Sequence, residues 1–191
     1  MLGELIRKNR SYRRFCQEVP IALDTLREFV DLARLSASGG NRQPLKYLLS
    51  NTAEKNTQIF KELSWAGYLQ DWNEPAEGER PSAYIIILGD NEISQKTGCD
   101  QGIAAQSIML GAVEKGFGGC ILGTVDRQNL CEVLKVPPRY EISLVLALGK
   151  PKETVMVEPV KTDGSIKYWR DDQGIHHVPK RSLDEIIVAF D

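Results

Sequence analysis

Two short apolar runs, residues 84–88 and 144–148, constrain the fold of this chain more than any other feature. Because neither run alternates between apolar and polar residues, both predict strands that are buried on both faces of a sheet. Residues 101–114 are apolar nearly all round, which predicts a helix in the interior. A chain of 191 residues has the length of about one domain. Residues 1–191 are therefore expected to form a single layered domain of helices and strands.

Several shorter segments complete the expected order of elements. The apolar spacing of residues 24–36 predicts an amphipathic helix with Asp24 as its N-cap, and Asp126 precedes a short helix that ends at Leu134. Residues 182–190 are expected to be helical or extended, with Phe190 on their apolar face. The remaining predictions are helices over residues 2–9 and 54–63, a strand over residues 46–50 and a hairpin around residues 172–174.

Charge and cysteine content limit the classes of protein to which the chain can belong. Lys and Arg number 24 and Asp and Glu 26, and a net charge of −2 argues against a protein that coats nucleic acid. The apolar runs are far too short to span a membrane, and Glu4, Arg7 and Lys8 do not fit a secretory signal. The four cysteines show no CxxC or CxxH spacing, which indicates reduced thiols and a cytoplasmic protein.

The densest group of cations lies in residues 7–15. One interpretation is the solvated face of a helix and its exit, and another is a patch for nucleic acid, which the acidic remainder of the chain disfavours. The third is a cradle for a phosphate group, in which Ser11 and Arg13 share one face of an extended segment with Arg10 beside them. Guanidinium groups match phosphate oxygens bidentately, and a hydroxyl adds a neutral donor.

Two further segments are rich in glycine. Residues 38–44 include Ser38, Gly39, Asn41 and Gln43. They form either a helix C-cap or a loop whose amides meet a neutral heteroaromatic ring. Residues 116–124 lack the GxGxxG spacing of a dinucleotide-binding turn, and no strand–glycine–helix order with a downstream acid follows. They leave glycine-lined backbone whose N–H groups are free to face a ligand.

Taken in chain order, the cationic segment and the two glycine-rich segments resemble the FMN-dependent nitroreductase family, from about residue 7 to residue 187. In that family an early Arg-Ser-x-Arg segment binds the flavin phosphate, a Ser-x-x-Asn-x-Gln-Pro loop contacts the flavin ring and ribityl chain, and a glycine-rich stretch supplies backbone near the ring. A basic residue near the C-terminus also reaches the phosphate. The resemblance implies these cofactor-binding residues: Arg10, Ser11, Arg13, Ser38, Gly39, Asn41, Gln43, Leu122, Gly123 and Arg181, with Lys180 as the alternative to Arg181.

The resemblance also implies a fold and an activity. The fold is an α+β sandwich in which helices wrap a central, mostly antiparallel sheet, in an intertwined homodimer with FMN at its interface. The activity is ping-pong: NADH or NADPH gives a hydride to flavin N5, and a nitroaromatic, quinone or similar acceptor then takes the electrons. No side chain need be a general acid or base, and no metal is expected. Leu45 and Ile121 stand where the family often has tryptophan, so a less aromatic ring pocket is expected.

Several alternatives stay open at this point. One is a flavoenzyme of the same fold with other chemistry, such as reductive dehalogenation or flavin breakdown, and another is a flavin-binding protein without turnover. Trp65, Tyr68 and Trp72 are spaced either as a helix face packed on the core or a partner, or as a lid over the flavin. Adjacent residues on an extended segment face opposite sides, so His176 and His177 do not indicate a metal site.

Overall fold

A five-stranded antiparallel sheet forms the centre of the protein in the computed structural model, which describes residues 1–69 and 71–189. The central pair, β3 and β5, runs from Ala83 opposite Leu148 to Asp90 opposite Tyr140. Strand β2 pairs with the free edge of β3, and β1 and β4 both pair with the other edge of β5. The strands are β1 (Phe15–Cys16), β2 (Leu45–Ser50), β3 (Ala83–Asp90), β4 (Gly118–Leu122) and β5 (Tyr140–Pro151).

Helices cover both faces of this sheet, which confirms the predicted α+β sandwich. Side chains on β3 alternate between the two faces, and every one of them is buried. Ile85 and Ile87 pack in one core with α2 and α4, and Tyr84 and Ile86 pack in the other core with α3 and α5. The helices are α1 (Leu2–Lys8), α2 (Leu23–Arg34), α3 (Ala53–Phe60), α4 (Asp100–Glu114), α5 (Arg127–Leu134) and α6 (Leu183–Ile186).

The apolar helix α4 is interior on one side only. Ala105 and Ile108 are fully buried, whereas Ile103 keeps 39% of its surface exposed. Within the single chain, α4 also packs beside α1.

Two details of the predicted helices are wrong. Helix α2 begins at Leu23, its N-cap is Ala22, and Asp24 lies inside the first turn, where its carboxylate favours the helix N-terminus without capping it. Trp65 lies in irregular backbone and Tyr68 in a turn, so neither aromatic residue is on a helix. Helix α2 ends at Arg34, and residues 38–44 form a separate short turn beyond it. Of the two interpretations of this segment, the helix C-cap is therefore wrong.

The C-terminal part forms a second, smaller sheet. Strand β6 (Val155–Pro159) runs parallel to β8 (His176–Lys180), and β7 (Trp169–Arg170) pairs antiparallel with β8 through the hairpin predicted around residues 172–174. Helix α6 follows with Ser182 as its N-cap. Phe190, which was expected to continue this apolar face, lies outside the described residues.

Over the described parts of the chain, no helix combines the length and apolar character needed to cross a bilayer. All four cysteines are free thiols.

Candidate functional site

A cavity with several cations in its wall lies where the chain leaves α1 and passes between α4, β4 and the second sheet. We call it the cationic pocket. Its lining brings together three of the predicted site residues, Arg10, Ser11 and Arg13, with residues of α4, β4 and β8 and with Tyr168. The complete lining is Asn9, Arg10, Ser11, Arg13, Gln106, Met109, Ile121, Tyr168, His176, Val178 and Lys180.

Strand β4 holds one side of the segment that carries these cations. Ser11 forms a parallel bridge with Gly119, and the N–H of Tyr12 donates to the carbonyl oxygen of Gly119 at 2.9 Å. A Cβ atom on Gly118 would overlap the ring of Tyr12, and one on Gly119 would overlap the carbonyl oxygen of Ala147. These two glycines of the predicted glycine-rich segment therefore serve close backbone packing, and that packing places the cationic segment.

A buried carboxylate holds the other side of the same segment. Glu153 accepts hydrogen bonds from the backbone N–H groups of Arg13 and Arg14, the latter at 3.1 Å. Its second oxygen accepts from the guanidinium of Arg170 at 2.9 Å. Arg170 in turn lies over the ring of Trp72, with 5.1 Å between the guanidinium carbon and the ring centroid. Glu153 thus ties the backbone of the cationic segment to the second sheet, and sequence reasoning missed it.

The cations that line the pocket lack acidic partners. Within the described residues, neither Arg10, Arg13 nor Lys180 has a carboxylate oxygen within 4.0 Å. Other arginines do have one: Arg14 binds Glu79 and Arg139 binds Asp90, each at 2.6 Å.

The unpaired arginines also bury unsatisfied donors. The Nε atoms of Arg10 and Arg13 are buried, and neither has a hydrogen-bond partner among the residues that the structure describes. A site that collects unpaired guanidinium and ammonium groups attracts an anion, and a phosphate group satisfies such donors.

The guanidinium of Arg13 contacts neutral groups. Its Nη1 lies 3.2 Å from the carbonyl oxygen of Ser11 and 3.3 Å from Nε2 of His176, and its guanidinium carbon lies 4.7 Å from the ring centroid of Tyr168. His176 is almost fully buried, and burial lowers the pKa of its imidazole to about 4, helped by the nearby charges of Arg13 and Arg170. The imidazole beside Arg13 is therefore neutral near pH 7.

The loop of residues 38–43, here called the amide loop, folds onto the start of α4. Asp100 accepts hydrogen bonds from the hydroxyl of Ser38 at 2.6 Å and from the N–H of Gly39 at 2.8 Å. The side-chain amide of Gln43 donates to Oδ1 of Asn41 at 3.1 Å. Ser38 and Gln43 line a different cavity from the cationic pocket, so the structure does not bring them together with Arg10 and Arg13 within one chain.

Of the remaining predicted site residues, some lie in or beside the cationic pocket and one does not. Leu122 ends β4, with Gly123 directly after it, next to Ile121 in the pocket wall. Lys180 lines the cationic pocket, whereas Arg181 pairs with Glu185 at 3.3 Å and does not line it.

The three aromatic residues of the predicted face or lid have different surroundings. Trp65 is in the core against Phe60, with 5.8 Å between ring centroids. Tyr68 is 48% exposed and packs on Tyr168, with 5.0 Å between centroids. Trp72 lies under Arg170. Tyr68 therefore contacts a wall of the cationic pocket through Tyr168.

The two adjacent histidines face opposite sides of β8, as their spacing predicts. His177 contacts Glu158 and Asp171 through its two ring nitrogens and stacks on Trp169 with 4.8 Å between centroids. Hydrogen bonds to both carboxylates raise the pKa of His177. In the part of the chain that the structure describes, no three His, Cys, Asp or Glu side chains are grouped as a metal site requires.

Comparisons with known proteins agree with this geometry. The sequence model of the nitroreductase family matches residues 6–150. A nitroreductase family protein from Streptococcus pneumoniae superposes with a TM-score of 0.73 at 17% identity, over 100% of both chains. One from Clostridium novyi gives 0.64 at 22% identity, over 97% of this chain and 98% of that one. An FMN-dependent nitroreductase from Clostridium difficile gives 0.63 at 23% identity, over 80% and 88%.

A search of curated protein sequences found no match. The family match nevertheless covers the central sheet up to residue 150, the helix α4 and the cationic segment, and it ends before the second sheet. The chain belongs to the nitroreductase family.

Proposed function

We propose that this protein is an FMN-dependent NAD(P)H oxidoreductase in which residues 1–191 act as one flavin-binding domain. The observation that carries the proposal is that Arg10, Arg13 and Lys180 line one cavity. None of the three is paired with a carboxylate among the described residues. An FMN-dependent relative of the same fold supports the choice of flavin. Solved relatives named NADH oxidase and NAD(P)H:FMN oxidoreductase support the choice of electron donor.

The residues of the cationic pocket fit the phosphate end of FMN. Arg10, Arg13 and Lys180 supply charged donors, and Ser11 supplies a hydroxyl. The buried, unsatisfied Nε–H groups of Arg10 and Arg13 require acceptors of the kind that a phosphate carries. Lys180, which lines the pocket, replaces Arg181 in this assignment.

Two apolar side chains also line the cationic pocket and suit a flat ring. They are Met109 and Ile121, and Leu122 and Gly123 follow Ile121 in the chain. We assign the backbone of Leu122 and Gly123 to the ring edge. When bound, FMN supplies the redox chemistry, taking a hydride from NADH or NADPH and passing electrons to a nitroaromatic, a quinone or a similar acceptor. The protein's own groups bind and orient it, and no side chain is assigned as a general acid or base.

The amide loop enters the proposal through a second copy of the chain. Ser38, Gly39, Asn41 and Gln43 are proposed to contact the flavin ring and ribityl chain of the partner's pocket, because within one chain Ser38 and Gln43 line a separate cavity. Exposed apolar side chains on α4 and on the C-terminal segment support a homodimer. Obligate interfaces bury on the order of 2,000 Å² or more, so the dimer is expected to survive dilution to micromolar concentration in sedimentation.

The test begins with the colour of the purified protein. We expect yellow protein whose flavin absorbance at about 450 nm bleaches on anaerobic addition of NADH or NADPH and returns when an acceptor is added. Colourless protein that does not take up added FMN contradicts the proposal. If flavin is bound but does not bleach, the protein is a flavin binder without turnover. If it bleaches and only halogenated substrates are turned over, the activity is reductive dehalogenation. If the flavin itself is lost, the activity is flavin breakdown.

A further inference from the structure

We propose that His176 is a positioning residue for Arg13: its neutral imidazole accepts a hydrogen bond from the guanidinium and holds it over Tyr168, aimed at the phosphate of the bound flavin. The inference rests on the proposed function. It concerns residues 168–180, which lie beyond the 6–150 range of the family match.

The geometry leaves Arg13 oriented but not neutralised. Its Nη1 is 3.3 Å from Nε2 of His176, and the rings of His176 and Tyr168 lie 5.1 Å apart, so the two aromatic rings form one wall for the guanidinium. A carboxylate at the position of His176 would also orient Arg13, but it would compete with an anionic ligand for the same charge. A neutral acceptor fixes the direction of the N–H groups and leaves the positive charge for the ligand.

The protonation state required for this role follows from the surroundings. Arg13 can only donate, so Nε2 of His176 must accept and the ring proton must lie on Nδ1. Burial holds the pKa of His176 at about 4, and the charged groups facing it, Arg13, Arg170 and His177, act in the same direction. The ring therefore remains an acceptor throughout the pH range in which such an enzyme works.

The position of His176 in β8 explains how it reaches the pocket. Alternate residues on a strand share a face, and His176, Val178 and Lys180 all line the cationic pocket, while His177 faces Glu158 and Asp171. One strand thus supplies both a cation and the residue that holds a second cation in place.

The first arm of the test compares FMN with riboflavin, which has the same ring and ribityl chain but no phosphate. We expect His176→Leu to weaken FMN binding by about 3- to 10-fold and to leave riboflavin binding unchanged, because only the phosphate uses Arg13. His176→Gln keeps an acceptor near the position of Nε2 and should retain most of the FMN affinity. Thermal unfolding of both variants is measured alongside, and equal weakening of FMN and riboflavin means general damage to the pocket and overturns the proposal.

The second arm asks whether His176 acts through Arg13. In an Arg13→Ala background, His176→Leu should cause no further loss of FMN affinity, because the group that it positions is gone. An additional loss of the same size means that His176 acts independently of Arg13, and the positioning role is then wrong. Unchanged FMN affinity in the single His176→Leu variant also overturns it.

The third arm does not depend on flavin. In the unmodified protein, the ¹⁵N chemical shifts of the His176 ring should show an unprotonated Nε2 and a protonated Nδ1 at pH 7, with no titration down to about pH 5. A doubly protonated ring, or a proton on Nε2, contradicts the inference. If the protein binds neither FMN nor riboflavin, the proposed function fails, and this arm still decides whether His176 accepts a hydrogen bond from Arg13.

Discussion

Lys180 lines the cationic pocket, whereas its neighbour Arg181 pairs with Glu185 at 3.3 Å. The two residues are therefore a matched pair for testing which C-terminal cation contacts the phosphate. Lys180→Ala should weaken FMN binding by about 3- to 10-fold, a range appropriate to an exposed, flexible ammonium group. Arg181→Ala removes the same charge from the chain and should change the affinity by less than about twofold. Fluorescence titration of the apoprotein measures both, and a larger loss in Arg181→Ala would restore the assignment based on the sequence.

A stronger effect is expected at the two arginines that line the cationic pocket, Arg10 and Arg13. A charge-assisted hydrogen bond contributes about 1.5–3 kcal/mol, so Arg10→Ala and Arg13→Ala should each weaken FMN binding by roughly 10- to 150-fold. Riboflavin affinity should change little because it lacks the phosphate.

Arg34→Ala serves as the control for loss of an arginine, because Arg34 is exposed and pairs only with Asp31 among the described residues. Unchanged FMN affinity in both pocket variants would remove the phosphate assignment.

Local signals in the sequence account for most of the fold and for part of the site. The apolar run at residues 84–88 identifies β3, and Asp126 identifies the start of α5 because capping depends on neighbouring residues only. The two-residue period that groups Ser11 with Arg13 correctly places both in one cavity. The same period would have grouped His176 with Lys180 on one face of a strand. It could not have predicted that His176 contacts Arg13, because the two residues are 163 positions apart in the chain.

Where tertiary packing decides, local patterns fail. The spacing of Trp65, Tyr68 and Trp72 fits a helix face, yet Trp65 packs into the core while Tyr68 packs on Tyr168. The rings pack against different partners, so they do not form the single apolar face that a helical spacing predicts. Glu153 carries no local signal at all, because its three donors come from residues far away in the chain.

Removing the carboxylate of Glu153 should destabilise the protein as well as the site. In Glu153→Gln, an amide N–H replaces one acceptor and faces either the backbone donors of Arg13 and Arg14 or the guanidinium of Arg170. An unsatisfied buried donor costs about 1–3 kcal/mol, which corresponds to a decrease in Tm of roughly 2–10 °C for a chain of this size. Calorimetry measures the decrease, and Glu18→Gln, an exposed position, should leave Tm unchanged. Equal Tm values for both variants would show that the Glu153 contacts do not stabilise the fold.

Stability should decrease in acid through Glu79. Hydrogen bonds from Arg14, followed by the charge and hydrogen bond of Lys152, lower the pKa of the Glu79 carboxyl to about 2 from an ordinary value near 4.5. Because the folded protein binds this proton more weakly than the unfolded chain, the stabilisation is complete above about pH 4.5 and is lost as the pH decreases towards 2. Its full size is about 3 kcal/mol. Urea titrations across this range should give a shallower pH dependence for Glu79→Gln than for the parent, and identical slopes would contradict the role of the Arg14–Glu79 pair.

The last prediction tests whether two chains build each site, using Arg13 in the cationic pocket and Gln43 in the amide loop. Gln43→Leu leaves a polar atom of the flavin without its partner, so it should weaken FMN binding by about 5- to 150-fold. In either homodimer every site then carries one defect. In mixed dimers of Arg13→Ala with Gln43→Leu, a site shared between chains has both defects on one side of the dimer and none on the other.

Random mixing should therefore give about a quarter of all sites with the parent's affinity, resolved as a tight phase in an FMN titration. Arg42→Ala is the control, because Arg42 adjoins Gln43 but is assigned no contact with the flavin. A homodimer of Arg42→Ala should bind like the parent. If the mixed Arg13→Ala and Gln43→Leu sample shows no tight phase although the chains exchange, each site lies within one chain. The separation of the amide loop from the cationic pocket would then require a movement of residues 38–43 within the same protomer.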